Sequence, residues 1–375
     1  MSRRSRRFEN RQKKRDAKKK ELEKFDNIEN VASYKSLYEA TKKASNGVRF
    51  KASVQRGLLT ILFRIAKQRK QLLEEKDVRQ GFIEFDICER GKVRHIRSVH
   101  FAERVIQKSL CNNVLYPVLT NGLIYDNSAS QKGKGTLFAQ QRLIYHLQEY
   151  YKKYGCEGYI LNIDFKKYFD SIKHDSVKEN LQKHFKDEKL LNLTFSFVDA
   201  FGERGLGLGS ETSQINAVAH INAIDHYIKE TKRCKYYGRY MDDSYIISPS
   251  KEFLQELISD LEQKYVKYGI EVNKKKTQIR KISNGFTFLK TKFYLTKTGR
   301  IIKKPCRVSI TRERRKLKKQ ARFFNEGILT IEELEQSYQS WRGSMKYRNA
   351  RRTVHNMDIL YNKLFERSIE DGKNI

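Results

Sequence analysis

Long apolar runs and paired cysteines are both missing from this chain of 375 residues. No apolar stretch approaches the roughly 18 residues that a membrane-spanning helix needs, and no signal-peptide core follows the charged start, so we expect no membrane partner. The cysteines number five, an odd count, and none belongs to a Cys-x-x-Cys pair. A disulfide framework and a zinc site are therefore disfavoured, and we predict reduced, buried thiols in a cytoplasmic protein.

Acidic residues are scarce relative to basic ones. The sequence has 78 lysines and arginines against 44 aspartates and glutamates, which gives a net charge of +34 at pH 7 and a pI near 9.9. A chain with this charge repels itself unless a polyanion neutralises it, so nucleic acid is the predicted partner. Hydrophobic residues at 38% and aromatic residues at 11% still allow a large packed core, which excludes a disordered basic protein.

The positive charge is concentrated in two blocks. Residues 1–24 carry twelve lysines and arginines against four acids, and we predict either an arm that becomes ordered on RNA or a solvated tail. Residues 303–322 carry ten against one acid, and the stretch 311–319 contains no helix breaker. We predict a helix there whose cations follow duplex phosphates without sequence preference. The cations assigned to that role are Arg312, Arg314, Arg315, Lys318 and Lys319.

Two adjacent carboxylates occupy a predicted hairpin turn. The tetrapeptide Tyr-Met-Asp-Asp at 240–243 lies between an aromatic, strand-like approach at 235–239 and the apolar run 245–247. Neighbouring carboxylates repel one another and are hard to desolvate, so a fold normally places them at an apolar hairpin tip only when a cation shares the charge. We therefore predict a metal-binding turn. The alternative is that aspartate simply suits the geometry of a turn.

A third carboxylate lies upstream. The segment 158–165, Gly-Tyr-Ile-Leu-Asn-Ile-Asp-Phe, is typical of a short buried strand that ends at Asp164. A third acid at a strand end is what two-metal phosphoryl transfer requires, because one ion activates the attacking 3′-hydroxyl and both ions clamp the triphosphate while pyrophosphate leaves. Asp164 precedes Asp242 by 78 residues, so the fold must bring the acids together.

Four motifs in series resemble the palm motifs of reverse transcriptases. They are Asp-Phe-x-Lys-x-Phe-x-Ser-Ile at 164–172, Tyr-Met-Asp-Asp at 240–243, Gly-Ile-Glu-Val-Asn-x-x-Lys-Thr at 269–277 and Gly-Phe-x-Phe-Leu at 285–289. The resemblance implies an α+β fold, the right-hand polymerase with fingers, a palm built on an antiparallel sheet, and a helical thumb. The implied segments are a basic N-terminal arm (1–30), fingers with the start of the palm (31–157), the palm (158–295) and a basic helical thumb with a C-terminal tail (296–375). This division leaves no room for an RNase H, endonuclease or integrase domain.

The same resemblance implies the chemistry. Asp164, Asp242 and Asp243 would be the catalytic acids and, with the main-chain carbonyl of Phe165, would hold two Mg²⁺ ions, or Mn²⁺ in their place. The implied reaction is RNA-templated DNA synthesis, with template RNA, a primer, deoxynucleoside triphosphates and a cDNA product as partners. A finger hairpin predicted at 81–99 would bring Arg94 to the triphosphate. An exposed strand arginine without a special role is the alternative there.

Further site residues follow from the motifs. Phe169 matches the aromatic ring that lies under the nucleotide sugar in this family and leaves no room for a 2′-hydroxyl, unless it is a core phenylalanine. Lys276 would lie near the leaving pyrophosphate, unless it belongs to a solvated turn. Phe288 and Leu289 would hold the primer end. We also predict an amphipathic helix at 50–75, whose recurring apolar residues are Leu58, Leu59, Ile61, Leu62 and Ile65.

The loop at 205–214 departs from most of the family. Where most reverse transcriptases have Gln-Gly and Ser-Pro, this chain has Leu208-Gly209 and Ser213-Gln214, ahead of a predicted helix at 215–228. Leu208, Gly209 and Gln214 are assigned to nucleotide binding, and the loss of a polar contact near the sugar is expected to relax selectivity for the correct pair. The pattern resembles reverse transcriptases of diversity-generating retroelements, which are error-prone at template adenines.

The biological role has alternatives. Reverse transcriptases of antiviral defence systems and prophages share variants of this loop, so a phage-defence enzyme that makes templated or untemplated cDNA is the main one. A maturase-like protein that binds RNA without turnover is another, and the three intact acids argue against it. In the diversity-generating role, the expected partners include a cognate non-coding RNA and a small accessory protein.

Overall fold

The computed structural model of the protein describes residues 3–89 and 91–372. The strands are β1 (Phe82–Glu89), β2 (Lys92–Val99), β3 (Tyr159–Ile163), β4 (Tyr237–Tyr240), β5 (Asp243–Ser248), β6 (Gln278–Lys281), β7 (Phe286–Phe288), β8 (Thr291–Leu295) and β9 (Ile301–Pro305). The helices up to residue 160 are α1 (Arg3–Glu23), α2 (Glu29–Ala32), α3 (Tyr34–Ser45), α4 (Ala52–Leu59), α5 (Ile61–Leu73), α6 (Phe101–Leu110), α7 (Tyr116–Leu119) and α8 (Thr136–Tyr154). The later helices are α9 (Tyr168–Ser171), α10 (His174–Gln182), α11 (Glu188–Asp199), α12 (Glu211–His220), α13 (Asn222–His226), α14 (Lys251–Lys267), α15 (Arg307–Asn325), α16 (Ile331–Met345) and α17 (Arg351–Gly372). Short π-helical turns follow α6 and α13.

A four-stranded antiparallel sheet in the order β4-β5-β3-β6 forms the centre of the palm. Ile160 and Leu161 of β3 are both buried, and they pack in different cores because successive side chains of a strand point to opposite faces. Leu161 joins the large core of the finger and palm helices, whereas Ile160 joins a smaller core that contains Tyr245 and Phe286. The predicted buried strand and the α+β fold class are confirmed.

The fingers contain the predicted hairpin and a helical bundle. β1 and β2 pair from Phe82 with Val99 to Glu89 with Lys92. The helix predicted at 50–75 is instead two helices, because α4 ends at Leu59 and α5 begins at Ile61. Ile65 is buried, but Leu59 and Leu62 are exposed. The prediction of helical structure at 50–75 is therefore confirmed, but the predicted apolar face is wrong at Leu59 and Leu62.

The thumb has its own core. Side chains of α15, α16 and α17 meet around Leu317, Tyr338, Trp341 and Met357. α15 buries Leu317 and exposes all five cations that were assigned to phosphate binding, so the predicted basic helix is confirmed. β9 pairs with β8 in a three-stranded sheet of order β7-β8-β9, so this sheet continues to Pro305, inside the segment predicted as thumb.

Three other features of the chain bear on the predictions. The basic N-terminal segment is helical in α1. All five cysteines are free; Cys111 and Cys234 are buried, but Cys88 is exposed on β1, so the prediction of uniformly buried thiols is wrong. Among the described helices, none combines the length and the apolar character that crossing a membrane requires.

Candidate active site

The adjacent carboxylates lie on a tight hairpin turn, as predicted. β4 and β5 pair up to Tyr240 with Asp243, which leaves Met241 and Asp242 as a two-residue turn. Met241 has a φ of +56°, and primed hairpin turns require such a positive φ at their first central residue. A bulky side chain rarely adopts this conformation, so the surrounding structure must hold the turn in place.

Sheet register brings the third acid to the same place. Ile163 of β3 pairs with Ser244 of β5, so Asp164 emerges at the end of the sheet that carries the hairpin turn. The Asp164 carboxylate accepts hydrogen bonds from the Asn273 side chain at 3.1 Å and from the Lys276 ammonium at 2.8 and 2.9 Å. Lys276 therefore contacts one of the three predicted acids directly.

The three acids repel one another. The pKa of Asp243 is raised to about 7, first by burial and then by the negative charges of Asp242 and Asp164, against the opposing charges of Lys276 and Lys290. The pKa of Asp242 is also raised, first by burial and then by the charge of Asp164. Aspartates whose pKa values are raised in this way mark a place where added positive charge is stabilising.

This donor set fits a hard divalent cation. Carboxylate and carbonyl oxygens are the ligands that Mg²⁺ and Mn²⁺ prefer, and the mutual repulsion of the acids is the electrostatic condition that such an ion relieves. Over residues 3–89 and 91–372, no group of three or more histidine, cysteine, aspartate or glutamate side chains already has the arrangement of a metal site. The Asp164 carboxylate is instead paired with the Lys276 ammonium.

The carbonyl of Phe165 faces the hairpin side of the sheet. The Asp164 carbonyl accepts a hydrogen bond from the Asn273 amide at 2.8 Å. The Lys166 amide donates to the Glu271 carbonyl at 2.8 Å. Backbone polar groups alternate in direction along an antiparallel strand, so Phe165, between these two residues, directs its own carbonyl to the opposite side, where β5 begins.

A buried ion pair contacts the turn through a hydrogen bond to its backbone. Arg239 and Asp225 are both fully buried, with Nη2 and Oδ2 2.7 Å apart. The Tyr237 hydroxyl donates to Asp225 at 2.5 Å, and the Arg239 guanidinium donates to the Val218 carbonyl at 2.8 Å. A further bond from Arg239 reaches the Met241 carbonyl at 3.2 Å. Arg239 thus connects the helix pair α12–α13 to the residue with positive φ.

The unusual loop joins the palm to the fingers. The Leu208 carbonyl accepts a hydrogen bond from the Arg97 amide of β2 at 3.2 Å. Gly209 has a φ of +115°, and a Cβ there would lie 2.9 Å from the Arg97 carbonyl, so this position requires glycine. The Leu206 amide donates to the Phe169 carbonyl at 2.7 Å, and Phe169 itself is half-buried against the large core.

Two other predicted residues are exposed, and one of them acts electrostatically on the acids. Arg94 is exposed on β2, and its charge opposes the rise in the pKa of Asp242 that burial causes. Gln214 is exposed on α12, which begins at Glu211 and not at the predicted residue 215. Buried Gln107 accepts a hydrogen bond from the Ser210 hydroxyl at 2.9 Å and links α6 to the loop.

The two residues predicted to hold the primer, Phe288 and Leu289, have different environments in the β7–β8 hairpin. Phe288 is buried, with its ring centroid 5.0 Å from that of Tyr245, so its side chain belongs to the core. Leu289 and Lys290, both with positive φ, form the turn. The charge of Lys290 opposes the rise in the pKa of Asp243, so this turn lies close to the acids. Lys290 was not predicted from the sequence, because Leu-Lys carries no turn signal.

A family model described as "Reverse transcriptase (RNA-dependent DNA polymerase)" matches residues 76–293, more than half of the chain. The chain belongs to the reverse transcriptase family. The matched range contains the three aspartates, the finger hairpin and the loop at 205–214, so the resemblance seen in four motifs holds at the level of the family. A comparison with curated proteins finds no match to this reverse transcriptase.

Solved structures with a similar fold include two telomerases. Apo telomerase from Candida tropicalis, truncated from the C-terminal domain, is 18% identical, with a TM-score of 0.46 over 60% of this chain and 55% of that one. Telomerase from Candida albicans in complex with the TWJ fragment of telomeric RNA is 16% identical, with a TM-score of 0.47 over 61% and 47%. The reverse transcriptase chain thus spans about half the length of these proteins.

The raised pKa of Asp243 predicts that the metal-free protein loses stability as the pH rises. An acid with a higher pKa in the folded than in the unfolded chain contributes stability that is complete below its ordinary pKa of 3.8 and is lost as the pH rises through about 7. A shift of this size corresponds to about 4 kcal/mol, and the partial exposure of the turn reduces the expected loss to about 2–3 kcal/mol.

Mg²⁺ is expected to reverse this loss. Because a cation competes with protons for the same oxygens, Mg²⁺ should raise the Tm more at about pH 8 than at about pH 5. Differential scanning fluorimetry with and without Mg²⁺ measures the effect, and Asp243→Asn should remove its pH-dependent part. A Tm increase of equal size at both pH values would contradict the prediction.

Proposed function

We propose that this protein is an RNA-directed DNA polymerase that extends a primer on an RNA template. The observation that carries the proposal is the convergence of Asp164, Asp242 and Asp243 at one end of the central sheet, where burial and the neighbouring carboxylates raise the pKa values of Asp242 and Asp243. Two bound Mg²⁺ ions, or Mn²⁺, would supply charge stabilisation of the five-coordinate phosphorus of the transition state and an acidified 3′-hydroxyl. The three carboxylates and the Phe165 carbonyl would hold these ions.

The residues around the acids would orient the substrates. Arg94 lies on the finger hairpin and Lys290 on the β7–β8 turn. Their charges oppose the rise in the pKa of Asp242 and of Asp243, respectively. Lys276 would transfer from Asp164 to the triphosphate once the carboxylate is engaged elsewhere, and its ammonium could then hold a proton near the leaving pyrophosphate. The exposed cations of α15 would bind duplex phosphates in a sequence-independent way.

Selection of the nucleotide would depend on Phe169 and the loop. Phe169 is half-buried, and its carbonyl accepts a hydrogen bond from the Leu206 amide. These contacts fix the position of the backbone that carries the ring, and the ring would exclude a 2′-hydroxyl. Leu208 and Gly209 lie against β2, and Gln214 is exposed nearby in sequence on α12. An apolar residue at 208 offers no hydrogen bond to a nucleotide, which would lower discrimination between correct and incorrect pairs.

The finer role that we propose is error-prone cDNA synthesis in a diversity-generating retroelement, in the cytoplasm, with a cognate non-coding RNA and a small accessory protein. The Leu208-Gly209 and Ser213-Gln214 pattern supports it. The proposed organisation is the basic arm (1–30), fingers (31–157), palm (158–295) and thumb with tail (296–375). A phage-defence role shares the same chemistry, and the cDNA sequence separates the two.

Primer extension tests the proposed activity. The purified protein, an RNA template with an annealed DNA primer, deoxynucleoside triphosphates and Mg²⁺ should give cDNA that ends at the template end, and chelation of the metal should abolish it. Ribonucleoside triphosphates should be poor substrates. No extension with Mg²⁺ or Mn²⁺, or product that forms equally well without template, would contradict templated synthesis.

Sequencing the same products tests the finer role. Substitutions concentrated opposite template adenines are expected from a diversity-generating enzyme. Accurate copies would contradict that role and would favour a defence or prophage enzyme.

A further inference from the structure

The fingers carry an exposed apolar ridge made of Leu59, Leu62 and Phe63. Their side chains are 85%, 75% and 74% exposed. Three large apolar side chains within five residues, at the junction of α4 and α5, form a patch of the kind that marks a binding surface. None of them is used by the active site described above.

A cavity of about 570 Å³ opens beside this ridge, and Phe63 forms part of its wall. The cavity lies between α5, the segment before β1, and α6. Its volume is within the range of ligand sites for molecules of nucleotide size. The cavity therefore offers an aromatic ring beside a partly open space.

Amide side chains line the same cavity: Gln68, Gln71 and Gln80. Gln68 is buried and donates its NH₂ to the Ala102 carbonyl at 2.9 Å, which leaves its oxygen as an acceptor. In the part of the chain that the structure describes, the side chains of Gln71 and Gln80 have no hydrogen-bond partner. Amides that both donate and accept suit the edges of nucleobases.

The charge at the rim is positive. Arg64, Lys67 and Arg79 line the cavity together with a single acid, Asp77, which pairs with Arg79 at 2.8 Å. Lys67 is exposed and makes no ion pair within the described residues. The positive rim therefore favours an anionic ligand over an uncharged, apolar ligand, in agreement with the net charge of +34.

The cavity is separate from the nucleotide site. It is lined by Ala102 and Ile106 of α6, which follows the end of β2 at Val99, whereas Arg94 is five residues before Val99 along β2. At about 3.3 Å per residue, this distance is roughly 17 Å. A ligand here would therefore lie about this far along β2 from Arg94.

We propose that this cavity binds an unpaired nucleotide of single-stranded RNA. The base stacks on Phe63, the glutamines contact its edge, and Lys67 and Arg64 meet the flanking phosphates. Stacking on aromatic side chains combined with cations is the general mode of single-strand binding. That this strand is the unread part of the template rests on the proposed function, whereas the binding itself does not.

A helix of a partner protein is the competing occupant of the ridge. An apolar helix face would cover Leu59 and Leu62, but it would leave the unpaired amides and the positive rim without partners. The RNA proposal accounts for the ring, the amides and the charge together.

Equilibrium binding without nucleoside triphosphates tests the proposal. The probes are a fluorescein-labelled RNA–DNA duplex with a single-stranded RNA overhang and the same duplex with blunt ends, followed by fluorescence anisotropy. Phe63→Ala should weaken binding of the overhang probe about tenfold and leave the blunt probe unchanged. Phe63→Tyr should retain the affinity, and Lys67→Gln should lower the salt dependence by about one counterion.

Phe50→Ala is the matched control, because Phe50 is 75% exposed and does not line the cavity. It should not change either affinity. Equal losses in the two alanine variants would overturn the proposal, and so would equal weakening of both probes. An unchanged affinity of Phe63→Ala for the overhang would also overturn it and would leave a protein partner for the ridge. Absence of primer extension would defeat the proposed function without affecting this result, since the assay contains no substrate nucleotides.

Discussion

Primer extension is expected to fall at least about a thousandfold when Asp242 is replaced by asparagine. The substitution keeps the size of the side chain and removes one of three charges that would hold the divalent ions. A thousandfold fall in rate corresponds to a loss of about 4 kcal/mol of transition-state stabilisation. This loss is in the range that a correctly held metal ion supplies. The measurement is the initial rate of extension on an RNA template with saturating Mg²⁺.

Stability separates this loss from misfolding. The charges of the acids oppose one another, and Asp242 raises the pKa of Asp243. Removing the Asp242 charge should therefore leave the metal-free protein as stable as the wild type at neutral pH, or more stable. A variant that loses activity and also has a clearly lower Tm would not support the catalytic role.

Asp175→Asn is the matched control for the same substitution. Asp175 is an exposed aspartate of the palm near the start of α10, and it is not one of the three acids. Its replacement should change the extension rate by less than about twofold, as expected for a surface site. Substantial extension by Asp242→Asn would remove Asp242 from the catalytic set.

Local patterns in the sequence were sufficient for the elements that carry the acids. The alternation and turn residues around 235–247 and the apolar run at 159–163 predict β4, β5 and β3, because a half-buried or buried strand leaves that signature in its own residues. The absence of helix breakers at 311–319 similarly predicts α15.

Contacts between distant segments could not be predicted in this way. Arg239 is a charged residue in an otherwise uncharged strand, which signals a buried partner, but nothing in the sequence identifies Asp225 as that partner. The burial of Phe288 follows from packing against Tyr245, a residue of another strand. The helix break at Thr60 also overrides an apolar spacing that would suit a continuous helix.

Arg239→Met is expected to lower the free energy of unfolding by about 3–5 kcal/mol. The substitution leaves Asp225 buried with the Tyr237 hydroxyl as its remaining strong donor, and an uncompensated buried charge is strongly destabilising. Urea unfolding followed by circular dichroism measures the loss. Lys264→Met is the control, because its ion pair with Asp260 is partly exposed and 3.9 Å long, so its loss should cost only about 1 kcal/mol.

The double variant Arg239→Met with Asp225→Leu separates stability from positioning. An apolar pair can replace a buried ion pair with little net change in stability, so the double variant should regain most of the free energy that Arg239→Met loses. It cannot regain the hydrogen bond from Arg239 to the Met241 carbonyl. Because that bond holds the strained residue beside Asp242, primer extension should remain at least about tenfold below the wild-type rate even where the fold is recovered. Full recovery of extension in the double variant would show that the ion pair stabilises the fold without positioning the acids.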